Sequence, residues 1–426
     1  FKQKTAYEIR LSLVGSEMCI RDSDTWSELF DVTNGFPIPG SGQYIDFTGA
    51  SWTGAKVANH RYDSQFLVVA SRTLGSSVEI WGRTREAESN TQSAQIQISS
   101  GSGPKVAPDV GGDPYNAPNS WYCVVWERVY SVGVDHDIHA QLVATNATLN
   151  GSLVSIDNTG STYDRFPSVS KSNGIAGDAL WNVAWERQFT GTDWDIRGAQ
   201  LRYNGAIVSP SFSVVFSGAN DLRPDASSPL DPTVGPLTYM IAYQRFDGAD
   251  WDIYASVLRG NSRVSYGNLS HLWALGATLD EGSPSVDSDG KHFAVAYNRI
   301  FHAPSQDWDI YVASTYLSGD QLRVGELPVT FANSFTFEAY PEICAHHSGG
   351  PSATSSYCGL AWLDWDGTQG NIAAGVYILP AGFGQLGGNY CAANPNSTGQ
   401  LGRILVSGTT SVSYTHLRAH ETKANL

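Results

Sequence analysis

Six segments echo one another along this chain: LVVASR (67–72), VVWER (124–128), VAWER (183–187), IAYQR (241–245), VAYNR (295–299) and LAWLD (360–364). Anchored at Ala70, Trp126, Trp185, Tyr243, Tyr297 and Trp362, the intervals are 56, 59, 58, 54 and 65 residues. A repeat of that size, built from β-branched and aromatic residues, is one sheet-sized unit arranged radially or stacked. One unit reads as four strands. Phe166–Ser170 opens it, Trp181–Arg187 is the second, Asp193–Ala199 the third and Phe212–Phe216 the fourth. Positions 181, 183 and 185 share a face by period-2 alternation.

The columns of the repeat predict how units pack. The first place of strand two is Phe66, Tyr122, Trp181, Tyr239, Phe293 or Cys358, and the fourth place is Val69, Val125, Ala184, Ala242, Ala296 or Ala361. A bulky face meeting a small one lets neighbouring sheets interdigitate at close-packed density. The expected fold is therefore all-β: a β-propeller of six four-stranded blades, with seven as the alternative. Tyr44–Phe47 stands where a fourth strand stands in other units. An N-terminal strand is thus expected to complete the last blade and remove its edge.

The pattern P-x-V … V-A-W-E-R … D-W-D-I-x-x-A-Q-L resembles the repeats of secreted bacterial β-propeller proteins, over about Tyr44 to Leu379. Asn389–Gly399 resembles the opening of a short C-terminal module of bacterial secreted, surface-associated proteins. Residues 2–23 and 412–422 resemble the two strands of a translated sequencing adapter. The expected organisation is 1–23 adapter-derived, 24–43 lead-in, 44–385 propeller, 386–410 the start of a truncated module and 411–426 adapter-derived. These resemblances imply an extracellular or cell-surface location. They bring no catalytic residues with them.

Six basic and four acidic residues lie in the two ends, leaving 20 Lys and Arg against 37 Asp and Glu. A surface so acidic argues against nucleic-acid binding, which needs clustered cations. No apolar run is long enough for a membrane helix. Cys344 and Cys358 fall on neighbouring strands of the last unit, so a disulfide between them is expected, with two buried thiols as the alternative.

Candidate site residues follow from the blade geometry. Three places before each strand-one proline stand Lys105, Asp164, Asp221, Glu281 and Glu338. Four carboxylates from successive blades could ring one channel mouth, attracting a cation or hydrogen-bonding sugar hydroxyls. His346 could join them, and Trp194, Trp251 and Trp308 could stack on sugar rings. Capped turns and inter-blade packing are the plainer explanations. The strand-two arginine varies together with the strand-three acid. Ion pairs Arg128–Asp137, Arg187–Asp195, Arg245–Asp252 and Arg299–Asp309 are therefore expected. No metal or other cofactor is expected, because these pairs explain the Asp-Trp-Asp element. Calcium is the alternative there.

Gly-x-Ser-x-Gly, Walker, His-Glu-x-x-His and Cys-x-x-Cys signatures are absent, as is a complete sialidase Asp-box. The expectation is a non-catalytic secreted propeller, monomeric and part of a larger chain, binding carbohydrate or protein. The alternative is a propeller-type glycoside hydrolase using Asp164, Asp221, Glu281 and Glu338.

Overall fold

A computed structural model describes residues 10–16, 25–31, 36–46, 48–60, 62–114, 121–172, 179–273, 275, 279–301, 307–333, 337–345, 355–365 and 370–380. β1 (Arg10–Ser16), β2 (Thr25–Asp31), β3 (Phe36–Pro37) and β4 (Gln43–Tyr44) form one sheet. Six antiparallel, blade-like groups follow. Group 1 is β5 (Ser51–His60), β6 (Gln65–Leu74), β7 (Ser77–Glu86) and β8 (Ile96–Gln97). Group 2 is β9 (Lys105–Gly111), β10 (Tyr122–Ser131), β11 (Asp135–Val143) and β12 (Leu149–Asp157). Group 3 is β13 (Tyr163–Val169), β14 (Leu180–Thr190), β15 (Asp193–Arg202) and β16 (Ile207–Ser213). Group 4 is β17 (Asn220–Ala226), β18 (Thr238–Phe246), β19 (Trp251–Arg259) and β20 (Ser262–Asn268), followed by the one-turn helix α1 (Leu269–Leu272). Group 5 is β21 (Asp280–Ser288), β22 (His292–Phe301), β23 (Asp307–Ser318) and β24 (Gln321–Ala332). Group 6 is β25 (Phe337–Ala345), β26 (Ser355–Trp365) and β27 (Gly370–Pro380).

Tight turns close the hairpins. Arg259 pairs with Ser262 across Gly260-Asn261, and Ser318 with Gln321 across Gly319-Asp320. Both glycines take φ of +62°, the left-handed value that two-residue hairpin loops require. Strand three of one group lies beside strand one of the next, through single parallel bridges at His136/Tyr163 and Trp308/Phe337.

The core lies between groups, as the columns predict. Val125, Ile138 and Ala140 of group 2 pack against Trp181, Val183 and Trp185 of group 3. Ala184 and Ile196 of group 3 meet Tyr239, Ile241 and Tyr243 of group 4. Met240 and Ala242 then face Phe293, Val295 and Tyr297, and Ala294 and Ala296 face Cys358 and Leu360. Each buried ring side chain contributes about 1.5–3 kcal/mol of transfer free energy. No group could supply this core alone.

First strands contact one another in succession from β5 to β25. Lys56 of β5 forms an ion pair with Glu342 of β25. Tyr44 pairs with Trp26 of β2, so among the described residues this segment extends the N-terminal sheet rather than the last group.

Two expectations about cysteine and charge are corrected. Cys344 lies opposite Gly359, and Cys358 opposite Ala345. That offset of one residue points the two side chains to opposite faces, and both thiols are free. The four arginines do lie opposite the strand-three acids in register. Their guanidiniums nonetheless turn elsewhere. Arg187 binds Asp164 and Asp157, Arg245 binds Asp221, and Arg299 faces Glu281. Arg128 donates to the Ser102 carbonyl. In groups 3, 4 and 5 the guanidinium thus meets the strand-one acid, whose burial without a counter-charge would be costly.

Candidate functional site

Strand one of each group is interrupted, in groups 2 to 6 at the residue before its proline. Ala107, Phe166, Arg223, Ser283 and Tyr340 take φ between +47° and +53°, and Gly54 takes +65° in group 1. The ladder slips a register at each of these points. Such backbone is costly for non-glycine residues and persists only where neighbours over-determine it. Here the neighbour is the preceding group. Phe166 N–H donates to Glu127 Oε2 (3.4 Å), Arg223 N–H to Glu186 Oε1 (2.7 Å) and Ser283 N–H to Gln244 Oε1 (2.9 Å). The Glu of each W-E-R element thus fixes the next group's bulge. Side chains at the bulges consequently stand at equivalent places along the successive first strands.

Two residues further along strand one, Lys56, Asp109, Ser168, Asp225, Ser285 and Glu342 interact across groups. Ser168 Oγ and Ser285 Oγ donate to the two oxygens of Asp225, at 2.6 and 3.0 Å. Lys171 pairs with Asp109 at 2.5 Å. Below them Asp287 accepts from Ser228 N–H (2.8 Å) and Ala345 N–H (2.7 Å), tying groups 4, 5 and 6.

Beside the bulges of groups 4 to 6 lies a pocket of about 230 Å³. Trp251, Trp308 and Tyr340 give it aromatic surface; Arg223, Gln244, Ser283 and Asn298 give it polar groups; Asp280 and Glu281 give it carboxyls. Glu281 is 1% exposed. Burial pushes its carboxyl up to about 8; Arg299, whose Nε lies 3.0 Å away, opposes this, and Asp252 and Asp250 reinforce it. Asp280 accepts the Trp251 N–H at 2.9 Å, which links the acid to the ring position. At neutral pH the pocket therefore holds a carboxylic acid able to donate a proton.

The four acids proposed for one rim occupy separate junctions between groups. Asp164 accepts from Arg187 Nε (2.7 Å), Arg187 Nη2 (2.6 Å) and Trp185 Nε1 (3.1 Å). Asp221 is held by Arg245 at 2.6 and 2.8 Å. Glu281 alone of the four lines the pocket. Glu338 gathers with Asp307 and Asp309, their oxygens within 4.8 Å of one another. A second triad is Asp247, Asp250 and Asp252. Lys105 is buried and pairs with Glu79 at 2.8 Å. Trp194 is engaged in packing, with Arg165 3.6 Å over its ring. His346, Cys391 and the segment 386–410 lie outside the described residues. Arg223 and Tyr340 were not among the sequence candidates. Their signal is that the residue before the strand-one proline is freely variable within an otherwise regular repeat.

No family model and no curated protein matches the sequence. Among solved structures, the chain is similar to an α-L-arabinofuranosidase from Fusarium graminearum in complex with an iminosugar inhibitor. That likeness has 10% identity and a TM-score of 0.46, and covers 77% of this chain and 93% of that one. A subtype N11 neuraminidase-like protein of A/flat-faced bat/Peru/033/2010 aligns at 11% identity and TM-score 0.43, over 87% and 97%. An endo-arabinase from Bacteroides thetaiotaomicron aligns at 9% and 0.38, over 77% and 93%. The expectation of a non-catalytic binding module is corrected here. A pocket lined by Asp280 and Glu281 beside aromatic rings, and the two acidic triads, give the chain carboxylates of the kind that glycosidic-bond hydrolysis uses. What the chain shares with these structures is a general propeller-like, all-β architecture of four-stranded groups.

Proposed function

We propose that this chain is a six-bladed propeller carbohydrate-active enzyme, of the glycoside hydrolase type, working in the pocket between groups 4 and 5. Six blades are supported by the succession of first strands and by the ion pair joining β5 to β25. An extracellular location is part of the proposal, resting on the resemblance of the repeats to secreted bacterial propellers.

The observation that carries the reading is a buried carboxylic acid, Glu281, in a pocket walled by Trp251, Trp308 and Tyr340. Glycosidases use an acid kept protonated to donate to the leaving oxygen and a second, ionised carboxylate as base or nucleophile. Glu281 takes the first role. The volume suits one sugar ring, since pockets for larger ligands run to about 300–1,000 Å³. Indole faces stack on the apolar face of the sugar, while Gln244, Asn298 and Ser283 meet its hydroxyls.

The full chain would be assayed against chromogenic aryl pentofuranosides, hexopyranosides and sialosides. At least one should be cleaved, and Glu281→Gln should lower its kcat by about 10²–10⁴-fold. Full activity in Glu281→Gln, or no cleavage of any glycoside, overturns the assignment.

A further inference from the structure

The junction between groups 5 and 6 departs from the others in charge. In group 3, Asp164 lies opposite Arg187; in group 4, Asp221 opposite Arg245; in group 5, Glu281 opposite Arg299. Each arginine carries the positive charge that its strand-one acid meets. In group 6, Glu338 lies opposite Asp364. A carboxylate has replaced the guanidinium at that register position. Strand three of group 5 adds two more acids, Asp307 and Asp309, whose oxygens lie within 4.8 Å of each other and of Glu338.

Asp309 supplies the second, independent observation. It is 7% exposed, and its Oδ1 is inaccessible to water and accepts no hydrogen bond. A buried acceptor left empty costs free energy unless something outside the polypeptide fills it. In the other triad Asp250 Oδ2 is likewise buried without a hydrogen bond, but the remaining two acids are engaged by neighbouring donors. Asp247 Oδ1 accepts the N–H groups of Ala249 and Asp250 within a turn, and Asp252 accepts Asn268 Nδ2 at 2.6 Å.

We propose that Asp307, Asp309 and Glu338 bind a calcium ion that takes the place held by arginine in groups 3 to 5. Oxygen-only, carboxylate-rich ligand sets of flexible spacing suit calcium, which accepts six to eight ligands and fills the remainder with water. Asp364 at the arginine position adds negative charge to the site. The ion joins strand three of one group to strand one of the next, whereas the arginine pairs join strands one and two within a group. This site stands independently of the hydrolase reading, because its ligands are not the pocket acids.

Trp308 sits between two of the ligands, which gives the test its probe. Terbium added to the full chain, excited through tryptophan, should show sensitised emission that calcium competes away and Asp309→Asn abolishes. Calcium at about 1 mM should raise Tm by about 5 °C. Asp364→Arg, which installs the residue of the other groups, should remove the calcium-dependent rise while raising Tm in chelator. Should Asp309→Asn fail to fold, Asp364→Arg still decides. Terbium emission unchanged in Asp309→Asn, a calcium rise retained in Asp364→Arg, or no rise in the unaltered chain overturns the proposal.

Discussion

Between groups 4 and 5, Glu281 stands opposite Arg299; between groups 5 and 6, Glu338 and Asp364 occupy the same two places. Register and flanking tryptophans correspond, while one member of the pair reverses its charge. In the first junction a guanidinium and a raised carboxyl pKa together moderate the acids. In the second, acids accumulate without a guanidinium at the corresponding position. One scaffold thus presents an acid beside a guanidinium at one junction and a cluster of acids at the next.

The sharpest way to break this comparison is kinetic. Glu281→Gln should lower kcat by about 10²–10⁴-fold, measured on whichever aryl glycoside the unaltered chain cleaves. A smaller loss would make Glu281 a structural acid like Asp221. Next in size is the buried pair of group 4. Arg245→Met leaves Asp221, which is fully buried, without its counter-charge, and should cost about 3–5 kcal/mol in urea unfolding. A loss below about 1 kcal/mol would show that guanidinium partners do not organise the junctions.

The pH dependence comes third. Glu281 has a folded value of about 8, above the roughly 4.3 of an unfolded glutamate. Between those limits the folded chain holds the extra proton. Its stability contribution is therefore fullest below about pH 4.3 and is lost as pH rises to about 8. Activity should fall on an alkaline limb near pH 8. Comparing pH–rate profiles and melts of the unaltered chain with Glu281→Gln checks both, and a limb retained in the variant would assign it to another group. Smallest of all, reductant should leave Tm unchanged, since Cys344 and Cys358 face opposite ways. A drop of several degrees would mean a register other than the one described.

Much of the architecture was legible in the repeat because two periodicities coincide there. Alternation set the faces of strand two, and the contrast between Trp185-type and Ala184-type columns set which face meets which neighbour. Ion pairing was harder to read. Arg187 has Asp195 on one flank and Asp164 on the other, and covariation with the former reports register rather than contact. Which acid the guanidinium meets depends on where its side chain turns, which one sequence does not carry. The cysteine pair failed on an offset of one residue that strand-level alignment could not resolve. Glu281 was singled out with three equivalents, but the pocket distinguishing it is built from bulge residues of three groups. The pattern of one unit cannot display such a combination.

The bulges have a consequence for how such a molecule could change. Their amides are held by side chains of the upstream unit at Glu127, Glu186 and Gln244, so the unusual dihedral is imposed from outside the residue that adopts it. Identity at that place is then unconstrained by its own conformation, and glycine, alanine, phenylalanine, arginine, serine and tyrosine all occupy it in turn. The letter at this place could therefore drift from group to group while the scaffold beneath stays under unchanged selection.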